Sequence, residues 1–393
     1  MMRLAIIGAG QATATLLQTL IRGEFAGTMT VFHAEGQRPV QRPPLSKTFF
    51  KTKTAEWLVP DDLMQHPQIH WIHRTVKAID PDAGHVIWDD AHDSFDHIVL
   101  ATGTRSLKPT IEGASQDTCH TLRTLADAEA ILKRITPETH VVIQGSGFLA
   151  FEIAHALATT VASVSLLLKT DRAMPHVSEV IATALMEDCP ATCYPDTRIE
   201  YIQPEMAKLH TSKGQLPCDL IISAIGSVPN AELGAPWELT DQHGIAVDAT
   251  MQTAHPRVSA IGEVASFSNP HTHRTQRIES IAQANDTAQV LAARLLGDPQ
   301  PFRATPWFWS DQGAHKLQIA GLATRDDQAT VITHGENTRV VARHQGQQVT
   351  AIEALNQARE FMAARRLFEQ GPMNLSDLMQ AGSAFSLLQS SRS

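Results

Sequence analysis

Two stretches of the chain carry the same succession of apolar and polar positions. In the first, the apolar run Leu4-Ala5-Ile6-Ile7 leads into Gly8-Ala9-Gly10-Gln11-Ala12-Thr13. Apolar residues then recur with helical spacing at Leu16, Leu17, Leu20 and Ile21, and a second run, Thr30-Val31-Phe32, ends near Glu35. In the other, Val141-Val142-Ile143 leads into Gly145-Ser146-Gly147-Phe148-Leu149-Ala150, a helical pattern runs through Ile153 and Leu157, and Val164-Ser165-Leu166-Leu167-Leu168 follows. Each predicts a strand, a tight glycine turn, a helix and a second strand, the layout of a dinucleotide-binding βαβ unit.

Further along, Cys218-Asp219-Leu220-Ile221-Ile222-Ser223-Ala224-Ile225-Gly226 reads as another buried strand closing the second unit. Ala329-Thr330-Val331-Ile332 and Arg339-Val340-Val341-Ala342 read as strands before a helix over residues 355–368. The tail, with Ser386, Gln389, Ser390, Ser391 and Ser393, is expected to fray.

At 393 residues the chain has material for two or three domains. Charged residues make up only 19%, yet no run of eighteen apolar residues occurs, so no membrane-spanning helix is expected. The first apolar run is too short for a signal peptide, and the four cysteines, Cys119, Cys189, Cys193 and Cys218, include no C-x-x-C pair, which suits a cytoplasmic protein. A formal charge of −9 without a Lys/Arg block argues against a nucleic-acid partner. No metal is called for.

The glycine turns carry specific chemistry. The first glycine makes the bend, the second lets backbone N–H groups approach a pyrophosphate, and the helix N-terminus faces its charge. One G-x-G-x-x-G is weak evidence, but two, each between an apolar strand and a helix, stand in the context that confirms the motif. Thr13 departs from the pattern at the third position, where a small residue permits close helix–strand packing. Glu35 stands where a carboxylate would accept from a ribose 2′-hydroxyl, which favours an adenosine without a 2′-phosphate, as in FAD; a solvated strand-end glutamate is the alternative. In the second unit Leu168 is followed by Lys169, with Arg172 nearby, and Ala150 is allowed at the third position. Cations there suit a 2′-phosphate, so NADPH is favoured over NADH, although basic residues on a solvated turn would look the same.

The segments Arg42-Pro43-Pro44-Leu45-Ser46-Lys47, Ala101-Thr102-Gly103, Gly145-Ser146-Gly147, Gly262-Glu263-Val264-Ala265 and Pro306-Trp307-Phe308-Trp309-Ser310-Asp311-Gln312 occur in that order. In these the chain resembles the FAD-dependent ferredoxin reductases of bacterial oxygenase systems, from residue 3 to about residue 370. The resemblance implies an α/β flavoprotein of the glutathione-reductase-like fold, with two Rossmann-like dinucleotide-binding domains and a C-terminal α+β domain. Residues 1–112 and 236–305 would form a discontinuous FAD domain, 113–235 the NAD(P)H domain and 306–393 the C-terminal domain.

It also implies roles for particular residues. Gly8, Ala9, Gly10, Gln11 and Ala12 match the FAD pyrophosphate turn, and Glu35 the ribose-binding acid. Arg42 and Lys47 match the segment beside the flavin, Ala101, Thr102 and Gly103 the stretch that closes over it, and Gly262 and Glu263 the motif at the ribityl chain and phosphate. Glu263 replaces the family's aspartate with a carboxylate one methylene further out. Gly145, Gly147, Phe148, Leu149, Lys169, Arg172 and Gly226 make up the NAD(P)H set. Lys47 and Glu152 correspond to a lysine–glutamate pair near the flavin N5, and Trp309 to an aromatic close to the flavin; core packing is the alternative for Trp307 and Trp309.

Hydride transfer from a nicotinamide to a flavin needs no protein nucleophile. Disulfide reductases of this architecture need an early redox dithiol, yet no cysteine precedes Cys119, so Cys189 and Cys193 are read as structural and electrons as leaving singly. By resemblance the acceptor is a small iron–sulfur ferredoxin serving an oxygenase, with a docking surface at Arg359, Arg365 and Arg366, for which a solvated helix face is the alternative. A monomer or a homodimer fits equally. Two other functions remain open: an NAD(P)H oxidase or quinone-type reductase acting on a small molecule, and a non-catalytic flavin-binding interaction protein.

Overall fold

The computed structural model describes residues 1–36 and 38–390. The chain forms two compact units, one of residues Met1–Gln41, Glu56–Arg105 and Val228–Ala304, the other of Arg42–Ala55, Ser106–Ser227 and Thr305–Ser393. The mixed α/β architecture with parallel sheets is the one expected from the repeated pattern.

In the first unit a five-stranded parallel sheet runs in the order Val258–Ala260, His97–Leu100, Met2–Ile7, Gly27–Phe32, Ile69–Ile72. Strands buried on both faces read as unbroken apolar runs, which is why Leu4 to Ile7 and His97 to Leu100 show no alternation. Leu4, Ile6, Met29 and Val31 pack with Leu16, Leu17 and Leu20 of helix Gln11–Arg22 and Ala288 and Leu291 of helix Ile281–Leu295. Ala5, Ile7, Phe32 and Ile98 pack with Val86 of an antiparallel meander, Val76–Asp80, His85–Trp88 and Ala91–Ser94, and with Phe95 just after it.

The second unit repeats the first sheet. Strands Thr192–Tyr194, Ser163–Leu167, His140–Gln144, Leu220–Ser223 and Cys119–Thr121 are parallel in that order, with helix Phe148–Leu157 after the central strand. A second sheet is antiparallel: Trp307–Gln312, His315–Gly321, Gln348–Leu355, Arg339–Gln345 and Gln328–His334. Helix Ala358–Gln370 covers it, with Phe361, Ala364 and Leu367 against Ala320, Ala342 and Ile352.

Two expectations shift. The helix expected over 355–368 spans Ala358–Gln370, because Leu355 ends a strand and Asn356 turns the chain in the left-handed region at φ 55°. The tail does not fray through Ser390: Ala384–Ser390 is a helix whose Ala384 and Leu388 are buried. Its first N–H groups, those of Ala384 and Phe385, donate to the Glu360 carboxylate at 2.8 and 3.3 Å, so a glutamate from a neighbouring helix caps it. Ser391 and Ser393 lie outside the described residues. Among the described residues, no helix is long and apolar enough to cross a membrane.

Candidate functional site: two glycine turns and a buried ion pair

The two glycine turns have the same construction. Gly8 N–H donates to Phe32 O at 2.9 Å, and Gly145 N–H donates to Leu167 O at 3.0 Å, each closing onto the strand that follows its helix. Both glycines adopt positive φ, 109° and 155°. A Cβ on Gly8 would lie 2.2 Å from the Ala101 carbonyl oxygen, and one on Gly145 would lie 2.4 Å from that of Ala224. Ala101 and Ala224 follow the two strands that pair with the first strand of each unit, so the first glycine is required by the sheet itself.

The second glycine is different. A Cβ on Gly10 or Gly147 would meet no atom within 4 Å. Both residues are helix N-caps in extended backbone, no described side chain caps either helix, and neither first turn holds an acid. Each turn therefore presents free N–H groups and the positive end of a helix onto open space, a cradle that fits a phosphate.

At the third position Ala150 is fully buried, and Thr13 is buried with its hydroxyl donating to Gly8 O at 2.7 Å. Thr13 thus supports the first turn. Ala9 precedes Gly10 and Ala12 is buried in the first helical turn, and the Gln11 amide donates to Asn285 Oδ1 at 2.9 Å, tying the start of this helix to helix Ile281–Leu295. Glu35 is exposed in the turn after strand Gly27–Phe32.

Ala101, Thr102 and Gly103 are locked to Asn230. Thr102 Oγ1 donates to Asn230 O at 2.6 Å, Asn230 Nδ2 to Thr102 O at 2.9 Å, and Asn230 N–H to Gly103 O at 2.9 Å. Gly262, at φ 75°, faces Ala12: a Cβ there would lie 3.0 Å from that of Ala12, and the Gly262 N–H donates to Thr287 Oγ1 at 2.9 Å. The Glu263 carboxylate accepts from Thr104 Oγ1 at 3.1 Å, so its longer side chain finds a hydroxyl partner within the same unit.

In the second unit the Arg42–Ala55 segment brings Lys47 to Glu152. Lys47 Nζ lies 3.0 Å from Glu152 Oε2, and both side chains are largely buried. Ser46 Oγ donates to the same oxygen at 2.7 Å, while Ser310 Oγ donates to Oε1 at 2.7 Å. Gln312 Nε2 donates to Ser310 Oγ at 3.2 Å. Both carboxylate oxygens are thereby satisfied, the condition under which a buried ion pair is tolerated. Arg42 is the residue before the short 3₁₀ turn Pro43–Ser46. Trp309 stacks on Trp307 with centroids 5.5 Å apart, and Phe148 packs on Phe308 at 4.8 Å, with Leu149 half-buried beside it.

Lys169 is exposed two residues past strand Ser163–Leu167, and its backbone N–H donates to Ser146 Oγ at 3.1 Å. Arg172 is half-buried, with one guanidinium nitrogen donating to Val177 O. Gly226, at φ 122°, follows strand Leu220–Ser223 with a Cβ position 3.6 Å from Leu107 Cδ1. On helix Ala358–Gln370 the Arg359 guanidinium sits 3.3 Å above the Phe385 ring, Arg365 lies 4.8 Å above Trp307, and Arg366 is exposed.

Sequence reading missed the partners: Asn230, Thr287 and Glu353. The hydroxyls of Ser46 and Ser310 lay inside segments already singled out, but their common target, Glu152, is far away in the chain and no local pattern announces it. All four cysteines are free; burial pushes the Cys218 thiol up to about 12, and that of Cys119 is raised by the same cause.

Residues 2–288 match the family described as pyridine nucleotide-disulphide oxidoreductase, and residues 307–386 match the reductase C-terminal family. Rhodocoxin reductase of Rhodococcus erythropolis is 32% identical over 93% of this chain and 89% of that protein. Putidaredoxin reductase of Pseudomonas putida is 30% identical, with 92% and 90% covered. Among solved structures, the ferredoxin reductase for the CYP199A2 system from Rhodopseudomonas palustris superposes with a TM-score of 0.91 at 30% identity, covering 99% of each chain. The reductase in the covalent putidaredoxin reductase–putidaredoxin complex gives 0.89 at 26% identity, covering 94% of this chain and 93% of that one. The chain belongs to the pyridine nucleotide-disulphide oxidoreductase family, among the ferredoxin reductases that carry the reductase C-terminal domain.

Proposed function

We propose that this chain is an FAD-dependent reductase that takes electrons from NAD(P)H and passes them singly to a small iron–sulfur ferredoxin serving an oxygenase. The observation that carries this reading is the double cradle: in each unit a first glycine pressed against a strand-end carbonyl is followed by a second glycine that opens a helix N-terminus onto free space. Two such cradles suit two dinucleotides. FAD goes to residues 1–112 and 236–305, NAD(P)H to 113–235, and residues 306–393 form the C-terminal domain.

FAD, when bound, accepts a hydride and gives up its electrons one at a time. The protein's part is binding and electrostatics. Backbone N–H groups at Gly10 and Gln11 hold the pyrophosphate, Glu35 accepts from ribose hydroxyls, and Ala101 to Gly103, Gly262 and Glu263 enclose the remainder. Lys47 supplies a cation that stabilises negative charge on the reduced ring, Glu152 offsets the cost of burying that cation, and Arg42 and Trp309 flank the ring. At the second turn Gly147, Phe148 and Leu149 receive the nicotinamide dinucleotide, with Gly145 and Gly226 shaping its approach. Lys169, with its exposed ammonium, and Arg172 favour NADPH through a 2′-phosphate. The ferredoxin docks at Arg359, Arg365 and Arg366, and the protein works in the cytoplasm as a monomer or homodimer. The related reductase in the putidaredoxin complex supports an iron–sulfur partner.

An anaerobic absorbance titration of the purified flavoprotein tests this, with NADPH and NADH added separately. Bleaching of the oxidised flavin bands by about one equivalent, as a two-electron transfer requires, supports the reductase, and faster bleaching by NADPH supports Lys169. Bound flavin that neither nucleotide reduces would overturn it.

A further inference from the structure

Strand Gln348–Leu355 of the C-terminal sheet carries a buried acid on the face away from helix Ala358–Gln370. Ile352 and Ala354 point into the core under that helix, so Glu353 between them points to the other face, only 1% exposed. Its carboxylate is fully engaged. Arg343 Nη1 donates to Oε1 at 2.9 Å, and the remaining partner is Ser178, whose N–H lies 3.0 Å from both oxygens and whose Oγ donates to Oε2 at 2.5 Å. Arg343 is itself buried and donates to Thr324 O at 2.8 Å and Asp327 O at 3.2 Å.

Ser178 is the N-cap of helix Glu179–Glu187, and the segment before it is the one that carries Lys169 and Arg172. That segment is held at several points, one of them Asp196 N–H donating to Thr170 O at 3.1 Å. Lys169 N–H donates to Ser146 Oγ, Met174 N–H donates to Ser146 O at 2.7 Å, and Ser178 is fixed by Glu353. Met174 is in the left-handed region at φ 43°, a conformation that persists only where its surroundings impose it, and Gln312 Nε2 donates to its sulfur at 3.6 Å. The near anchor is the glycine turn itself; the far anchors, Glu353 and Gln312, come from the C-terminal sheet. Placing a buried Arg343–Glu353 pair on this sheet face is weak evidence for stability, since an apolar pair of similar volume often does as well. What it supplies is a fixed position for residues 169–178.

We propose that Glu353 is a positioning residue for the pyridine nucleotide: through Ser178 it holds the segment with Lys169 and Arg172 in the geometry that grips the adenosine ribose and its phosphate. This rests on the reading of the second glycine turn as the NAD(P)H site. The C-terminal domain then has a task in nucleotide selection in addition to any task in partner docking.

The test compares Glu353→Gln and Ser178→Ala with the parent holoprotein, using steady-state reduction of ferricyanide with NADPH and with NADH. Ser178→Ala leaves the Arg343–Glu353 pair and the Ser178 N–H contacts intact and removes the hydroxyl, which donates to Glu353 and accepts from Ile181 N–H as the helix cap, so it stays informative if Glu353→Gln, which leaves Arg343 without its counter-ion, folds poorly. Both variants are expected to raise KM for the preferred nucleotide roughly tenfold, as the loss of one charge-assisted hydrogen bond would, with kcat nearly unchanged. The ratio of kcat/KM between NADPH and NADH falls towards one. Lower thermal stability with KM and that ratio unchanged in Ser178→Ala would assign Glu353 to structure alone and overturn the inference. A parent protein that neither nucleotide reduces would instead remove the functional reading beneath it.

Discussion

The hydroxyl of Thr13 donates to the carbonyl oxygen of Gly8 across 2.7 Å, within a turn whose motif places a small residue at position 13. The side chain that breaks the pattern therefore holds the bend that the pattern exists to make. Thr13→Val keeps the volume and strands the Gly8 carbonyl, so it is expected to destabilise the flavin-free protein by about 1–2 kcal/mol. Thr13→Ser, which keeps the hydroxyl, is expected to fall between the parent and valine. Urea unfolding midpoints of the three proteins check this; a valine variant as stable as the parent would remove Thr13 from the turn.

The two glycines of each turn predict opposite behaviour. A methyl group at Gly8 or Gly145 collides with a backbone carbonyl that the sheet fixes, so Gly8→Ala and Gly145→Ala are expected to unfold or to lose several kcal/mol. A methyl group at Gly10 or Gly147 meets nothing in the protein. Gly10→Ala and Gly147→Ala, at helix N-caps where alanine is poorer than glycine, are expected to cost no more than about 1 kcal/mol of stability. They lose affinity instead, Gly10→Ala for FAD and Gly147→Ala for the pyridine nucleotide. Differential scanning and flavin retention on gel filtration separate the two classes.

What the sequence made legible follows from this. A strand, a tight turn and a helix are local, so Gly8 to Thr13 and Gly145 to Ala150 announce their architecture, as do the apolar runs buried on both faces of a parallel sheet. Partners brought together from distant segments announce nothing: Asn230 on Thr102, Thr287 on Gly262, Ser310 on Glu152 and Glu353 on Ser178 are visible only once the chain is folded. The tail misled for a related reason, since its serines suggest disorder while its order comes from Glu360, on a helix earlier in the chain.

Burial beneath the first sheet, with the Arg294 and His255 charges nearby, lowers the His97 pKa from its ordinary 6.5 to about 4. His97 Nε2 lies 2.8 Å from Ser259 Oγ, and the side chain is 6% exposed. The unfolded chain binds this proton near pH 6.5 and the folded one only near pH 4, so stability is lost as pH falls through that window. The span corresponds to roughly 3 kcal/mol at its full extent. His97→Gln is expected to flatten the acid side of the stability profile between those two values, with little change above pH 7. Thermal midpoints of parent and variant from pH 4 to 8 are the measurement; parallel profiles would mean that His97 binds its proton equally well in the folded and unfolded chain.

Lys47 and Glu152 form a pair whose carboxylate is also held by Ser46 and Ser310. Lys47→Met leaves a buried carboxylate with hydroxyl donors only, and is expected to cost about 3 kcal/mol or more. Adding Glu152→Gln to that variant is expected to recover most of the loss, since no unpaired charge then remains. If Lys47 serves the flavin, the midpoint potential of the double variant becomes more negative than that of the parent. Recovered stability with an unchanged potential would confine the pair to structure.

The three arginines on helix Ala358–Gln370 are not equivalent. Arg359 covers the Phe385 ring, and Arg365 covers Trp307 while lying 3.9 Å from Glu369, so both spend their charge partly within the protein. Arg359 is exposed while lying on its ring; Arg366 is exposed as well, as is Met362 one turn earlier on the same face. An acidic ferredoxin steered to this face would meet Arg366 first. Arg366→Glu is therefore expected to slow ferredoxin reduction several-fold at low ionic strength, an effect that shrinks as salt screens it over about 10 Å at 0.1 M. Ferricyanide reduction by the same variant stays at the parent rate, because a small acceptor needs no docking surface. Arg365→Glu is expected to slow both reactions through lost packing on Trp307. Equal ferredoxin rates for the parent and Arg366→Glu at low salt would move the docking surface off this helix.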